Sequence, residues 1–367
     1  MGRINKRRAF MDQKKNNRDL KWIFLAALMI LLSVAIICGT SVLEKAIDRG
    51  LFDKPDVTTP NDDTTKSVVK TGMAIISSDA SKAAADDKDG TAQVDTTLVG
   101  VILVDGKIAA CELDTVQGKL VFNAKGEITT EAGTEFKTKT ELGFDYGMVN
   151  YQASAIGKEW FEQVDAFEDY VIGKTPDEVK AIALDEAGKA TDDDLKAGCT
   201  IGVKDYIEAV VTACENAKEI GANAGDELKI AITAKASKDS KSATAEADGT
   251  AQIDVDFAVV TTKDGKVTSV LLDSLQAKIP VKADGTLGEA SLKTKKELGF
   301  DYGMVKYQAS GIGKEWFEQV EAFEKAAAGG YEDLKISAEG YAEDDLKSSC
   351  TINLYPFTGI INKAIGK

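Results

Sequence analysis

No histidine occurs among the 367 residues. That absence excludes Ser-His-Asp and Cys-His catalysis, histidine zinc sites and histidine-ligated haem. Cysteine is also scarce: Cys38 lies in an apolar run, and Cys111, Cys199, Cys214 and Cys350 follow it. None forms a C-x-x-C pair, so a thioredoxin-like motif and a zinc ribbon are excluded. Cys199 and Cys214 flank a predicted helix of about four turns, which sets them roughly 20 Å apart, too far for a disulfide. The four outer cysteines are therefore expected to be unpaired.

Positive charge is scarce outside one end. Residues 1–21 carry eight basic and two acidic side chains, a net of +6, so the rest of a chain whose total is −15 carries −21. A polyanionic body argues against nucleic-acid binding, because phosphates are repelled.

One long uncharged run is present, residues 22–42, whose 21 residues suffice to span a bilayer core. The basic tail 1–21 precedes it, which predicts a cytoplasmic N-terminus and a retained signal anchor rather than a cleaved signal peptide. The C-terminal body is then extracellular, joined through a stalk, residues 43–69, that includes a Pro-, Thr- and Asp-rich stretch.

Beyond the stalk the sequence repeats. Gly90-Thr-Ala-Gln-Val-Asp95 returns as Gly249-Thr-Ala-Gln-Ile-Asp254, Thr138–Val149 returns as Thr294–Val305, and Gly157–Val164 returns as Gly313–Val320. The copies span roughly 70–221 and 226–367, too long for solenoid units, which predicts two tandem globular domains.

Each copy opens with strand-like segments: in the first, Met73–Ser77, Ala92–Val104, Lys107–Val116 and Lys119–Asn123. Asp105-Gly106 and Asp264-Gly265 are hairpin signals. The second half of each copy is helical. Trp160, Phe161, Val164, Phe167 and Val171 lie at helical spacing, and Thr175-Pro-Asp-Glu178 has the form of a capping box. A closing helix buries Ile207, Val210, Val211 and Cys214 in the first copy, and Phe357, Ile360, Ile361 and Ala364 in the second. The fold class is α+β, an antiparallel meander packed with helices, made twice.

Each closing helix follows a recurrent heptapeptide, Asp194-Leu-Lys-Ala-Gly-Cys-Thr200 and Asp345-Leu-Lys-Ser-Ser-Cys-Thr351. This puts a threonine hydroxyl near the helix N-terminus, where free N–H groups and the positive dipole end favour an anion. The expectation is a phosphate-bearing cofactor held at, or esterified to, Thr200 and Thr351. The competing reading makes each threonine a simple helix cap or ST-turn.

A meander with a D-G-K hairpin, then helices, then D-x-x-[ST]-G-A-[ST] before a last helix, resembles the FMN-binding domain family. That family includes the flavin-carrying subunit of membrane ferredoxin:NAD oxidoreductase and flavinylated proteins of extracellular electron transfer. The resemblance makes Asp194 and Asp345 the motif aspartates and Thr200 and Thr351 the acceptors of FMN in phosphodiester linkage. Gly198 matches the motif glycine. Cys199 and Cys350 stand in place of its alanine, Ala197 in place of its Ser/Thr, and Ser349 in place of its glycine. The partners it implies are a flavin transferase, a membrane dehydrogenase or quinol as electron donor, and the lipid bilayer through residues 22–42. The result is an electron carrier rather than a self-sufficient enzyme, since the flavin supplies the chemistry. The rival reading is a non-catalytic surface module whose flavin-binding-like fold has degenerated.

The glycine-bracketed loop Gly143–Val149, with its twin Gly299–Val305, offers Tyr146 and Tyr302 for stacking on a flavin ring. The preferred reading packs these loops on Trp160 and Trp316 to close the core. Asp86-Asp-Lys-Asp-Gly90 lacks the further ligands of an EF-hand and reads as a hairpin turn, and Asp192–Asp194 as a solvated loop, so no metal is expected.

Overall fold

The computed structural model describes residues 67–367. The basic tail, the apolar run 22–42 and the stalk through residue 66 lie outside the described residues. Among the described residues, no helix is long and apolar enough to cross a membrane.

The first repeat begins with three antiparallel strands, β1 (Val69–Asp79), β2 (Gly90–Val104) and β3 (Lys107–Phe122). Asp105 and Gly106 make the β2–β3 turn with positive φ at both positions (51° and 81°), as a tight hairpin requires. The expected break between Val116 and Lys119 does not occur, and β3 runs on through Gly118. Glycine there answers a packing demand, since a Cβ at 118 would sit 2.8 Å from Ile253 Cγ2 of the other repeat. A two-residue strand, β4 (Glu135–Phe136), and five helices follow. They are α1 (Lys139–Leu142), α2 (Trp160–Val171), α3 (Pro176–Lys180), α4 (Asp193–Lys196) and α5 (Lys204–Glu215). The second repeat supplies β5 (Glu227–Ala236), β6 (Gly249–Lys263), β7 (Lys266–Val281), α6 (Lys295–Leu298), α7 (Trp316–Gly330) and α8 (Tyr355–Ile365).

The helices start where local chemistry allows. Thr175 caps α3, its hydroxyl accepting from Glu178 N–H while the Glu178 carboxylate accepts from Thr175 N–H, with Pro176 opening the helix. Thr138 and Glu141 form the same box on α1, as do Thr294 and Glu297 on α6.

The repeats are not separate globules. Residues 66–367 form one compact unit. Val94, Leu98, Ile102, Leu120 and Phe122 of the first sheet share an apolar core with Ile253, Val255, Phe257, Val259 and Ile279 of the second. The opposite face of the second sheet, carrying Ala258 and Val260, packs on α7 and α8 through Trp316, Val320, Phe323, Phe357 and Ile360. In the first repeat α5 lies against β1 and β2, and α2 against β3. The sequence divides the chain by its repeat, but strands apolar on both faces need two covers, and each sheet uses the other as one of them.

The contacts between repeats are reciprocal. Ala84 N–H donates to Gly285 O at 3.0 Å, and the equivalent Ala243 N–H donates to Gly126 O at 2.9 Å. The two copies thus meet through the same surface, in the manner of a twofold dimer joined into one chain. β4 of the first repeat adds to the second sheet, pairing Glu135 with Lys235 and Phe136 with Ala234. Lys363 Nζ ties the copies again, 2.9 Å from Glu141 Oε1.

Candidate functional site

The heptapeptides fold as tight turns against α2 and α7. Asp192 caps α4 by accepting from Asp194 N–H and Leu195 N–H. Asp194 and Asp345 are themselves exposed, Leu195 is buried, and Cys199 and Cys350 are buried just before the threonines. Gly198 lies directly on α2, where an added Cβ would sit 2.6 Å from Ala166 Cβ. Gly198 is therefore needed for close packing.

Thr200 and Thr351 are half-buried, and neither caps a helix. The closing helices begin farther on, α5 at Lys204 and α8 at Tyr355, with Val203 and Leu354 in the cap positions and no side-chain cap. Each threonine precedes its closing helix by four residues, and the helix-cap alternative is corrected. Each threonine is instead bound to a glutamine. Gln163 Oε1 accepts from Thr200 N–H at 2.9 Å and from Thr200 Oγ1 at 3.1 Å, and Gln319 Oε1 accepts from Thr351 at 2.8 and 3.1 Å. Both glutamines are fully buried. Their amide nitrogens donate back to Lys158 O and Lys314 O, at 3.1 and 3.0 Å. These glutamines sit within the repeated Gly-Lys-Glu-Trp-Phe-Glu-Gln segment. Its repetition is plain in the sequence, but nothing local marks the glutamine as the threonine's partner.

Burial pushes the Cys199 and Cys350 thiols up to about 11, against a lowering by backbone hydrogen bonds and by the Lys158 and Lys314 ammoniums. Both stay protonated near neutrality and are poor nucleophiles. The four described cysteines are free thiols. Among the described residues, no group of three or more Cys, Asp or Glu side chains is placed to hold a metal ion.

The glycine-bracketed loops close onto the helices. The Glu159 carboxylate accepts from Met148 N–H and Val149 N–H at 2.7 and 3.1 Å, and Glu315 does the same for Met304 and Val305 at 2.7 and 3.0 Å. The same buried glutamates cap α2 and α7, so each fixes a loop and a helix start together. Lys139 Nζ lies 5.0 Å from the ring centroids of both Tyr146 and Trp160, and Lys295 lies 5.1 and 5.0 Å from those of Tyr302 and Trp316. Each tyrosine thus shares an ammonium with a buried tryptophan, while Phe144, Val149, Phe300 and Val305 of the same loops stay exposed.

No family model matches this chain, and no solved structure matches it. A chlorophenol reductase of Desulfitobacterium hafniense is 31% identical over 122 residues, covering 24% of this chain and 36% of the reductase. The chain thus spans about a third of that relative.

Proposed function

We propose that the chain is a membrane-anchored, extracellular flavin carrier, with FMN joined by phosphodiester bonds to Thr200 and Thr351. The observation that carries this reading is the threonine–glutamine pair, the same in both repeats. Gln163 Oε1 accepts the hydrogen bond that the Thr200 hydroxyl donates, and among the described residues no protein donor occupies the hydroxyl's lone pairs, which leaves them for a phosphoryl group. Once esterified, Thr200 keeps its N–H bond to Gln163, so no buried acceptor is orphaned. Lys158 and Lys314, whose ammoniums act on the adjacent Cys199 and Cys350, would add positive charge for a phosphate there. These residues fit a phosphodiester monoanion.

A flavin bound there supplies electron transfer by its own ring chemistry. The chain supplies an anchored, oriented oxygen and a cation. A flavin transferase supplies FMN activated on a leaving group: the threonine oxygen bonds to phosphorus and gives up its proton to the transferase as the phosphorus–leaving-group bond breaks. A membrane dehydrogenase or quinol donates electrons, and residues 22–42 hold the carrier at the bilayer. The partial likeness to a reductase supports a redox role.

The rival is a non-catalytic surface binding module. It is favoured by Lys139 and Lys295, whose ammoniums lie over the Tyr146 and Tyr302 rings on which a flavin would have to stack. Co-expression with a flavin transferase separates the two. The carrier gains one FMN per competent threonine by intact mass, with visible absorbance, and Thr200→Ala with Thr351→Ala abolishes both. A colourless chain of unmodified mass favours the binding module instead.

A further inference from the structure

The two repeats differ at one place on the helix-covered face of the sheet. In the first, Trp160 Nε1 donates to Tyr206 Oη at 3.0 Å. In the second, phenylalanine replaces that tyrosine: Phe357 packs on Trp316 with ring centroids 5.9 Å apart, and no hydroxyl is present. Trp316 is 4% exposed, yet its indole N–H has no protein partner among the described residues. A cavity of about 220 Å³ opens there, lined by Trp316 and Phe357 together with Asp256, Gln276, Lys235 and Lys295. Among the described residues the one fully buried side-chain polar atom without a partner is Asp226 Oδ1, so the Trp316 indole N–H is not sealed off and can meet an acceptor that enters the cavity.

Two further exchanges fall on the same cavity. Thr97 of the first repeat, which shares a 2.8 Å hydroxyl bond with Thr115, becomes Asp256. Ser78 becomes Lys235, which the strand register sets opposite Asp254. The second repeat has therefore gained one negative and one positive side chain at the place where it lost a hydroxyl. The two new charges do not cancel by direct pairing, since no ion pair joins Lys235 or Lys295 to Asp254 or Asp256 among the described residues. Asp256 spends one oxygen on Ser274 Oγ, at 2.6 Å, and its other oxygen is unengaged. The Gln276 amide nitrogen is likewise without a protein partner among the described residues.

The cavity lining thus carries a carboxylate oxygen of Asp256 without a partner, N–H donors without partners, and the Lys235 and Lys295 ammoniums, together with Asp254, whose two oxygens are taken by Ser237 and Gln252. Its volume is below the roughly 300 Å³ at which sites for drug-sized ligands begin, so an intact flavin nucleotide is too large for it. We propose that this cavity of the second repeat binds a small zwitterion of the α-amino-acid class, with its ammonium on Asp256 and its carboxylate on the Trp316 indole N–H and Lys235. The first repeat, with Tyr206, Thr97 and Ser78 at these positions, lacks the site. The inference does not depend on flavin attachment.

Calorimetric titration of the full chain, purified without flavin, tests it, with the twenty L-amino acids and D-glucose as probes. At least one amino acid should bind saturably at one site per chain, and glucose should not. Phe357→Tyr and Asp256→Thr copy the first repeat and should each weaken binding at least tenfold, while Phe357→Tyr melts no lower than the parent. If no amino acid binds, if glucose binds equally well, or if Phe357→Tyr binds unchanged, the proposal is overturned.

Discussion

A single oxygen, Gln163 Oε1, accepts both the N–H and the hydroxyl of Thr200, and Gln319 repeats the arrangement with Thr351. Replacing Gln163 by leucine leaves two donors on Thr200 and the Lys158 carbonyl without their partner. One lost partner of this kind costs about 1–3 kcal/mol. Gln163→Leu should therefore lower the unfolding free energy by at least that amount and shift the denaturation midpoint down, and Gln319→Leu should act alike. With no shared partners between the sites, the double variant should come close to the sum. A midpoint within error of the parent would show that water replaces the glutamine without cost.

Gly198 and Ala166 form a second matched pair, across the contact of the heptapeptide with α2. An added methyl at 198 would sit 2.6 Å from Ala166 Cβ, closer than carbon atoms approach without displacement. Gly198→Ala should cost about 1–3 kcal/mol by overpacking. Ala166→Gly in the same chain should recover part of that loss, although glycine inside α2 itself costs roughly 1 kcal/mol. Urea denaturation of the four-member cycle measures the coupling. Strictly additive effects would mean that the turn shifts away from α2 instead of being pressed against it.

Much of the fold is legible where the determinants are local. Asp105-Gly106 is a turn because two adjacent positive φ values suit that pair, and Thr175 to Glu178 is a helix start because all its partners lie within four residues. The Thr200–Gln163 bond spans 37 residues, and a buried glutamine looks in sequence like any polar helical residue. Glu159 is hidden for the same reason: a glutamate at a helix start reads as a solvated first-turn acid, whereas here it is buried under the loop that it fixes. The shared core is half-legible. Val99 to Leu103 are buried without alternation, which demands cover on both faces but does not say that the second repeat supplies one of them.

Alkaline pH should destabilise the described body through its buried thiols. Burial raises Cys199 and Cys350 to about 11 and Cys214 to about 12, from an ordinary 9.0. The native state holds these protons more tightly than the unfolded chain does. Their contribution is complete below pH 9 and is lost as pH rises through about 11. Melting temperature should fall between pH 9 and 11, and Cys199→Ala with Cys350→Ala should flatten that fall. The thiols of Cys111, Cys199, Cys214 and Cys350 should also resist a thiol-specific reagent at pH 8 until denaturant is added. Prompt modification at pH 8 would contradict the burial on which this rests.

The joined core predicts that the repeats unfold together. Phe257 belongs to the second repeat and is fully buried on the face that meets the first sheet. Phe257→Ala should cost about 3–5 kcal/mol, as for other large buried aromatics cut to alanine. Independent domains would confine that loss to residues 226–367. A shared core instead transmits it to β2, whose Val94, Leu98 and Ile102 belong to the same cluster. Hydrogen exchange by mass spectrometry distinguishes these cases: amides of β2 should lose protection in step with those of β6. The converse substitution, Leu98→Ala in the first repeat, should loosen β6 in the same way, because the contact is reciprocal. If β2 keeps parental protection while β6 is exposed, the copies fold separately, and the face between them contributes little to either.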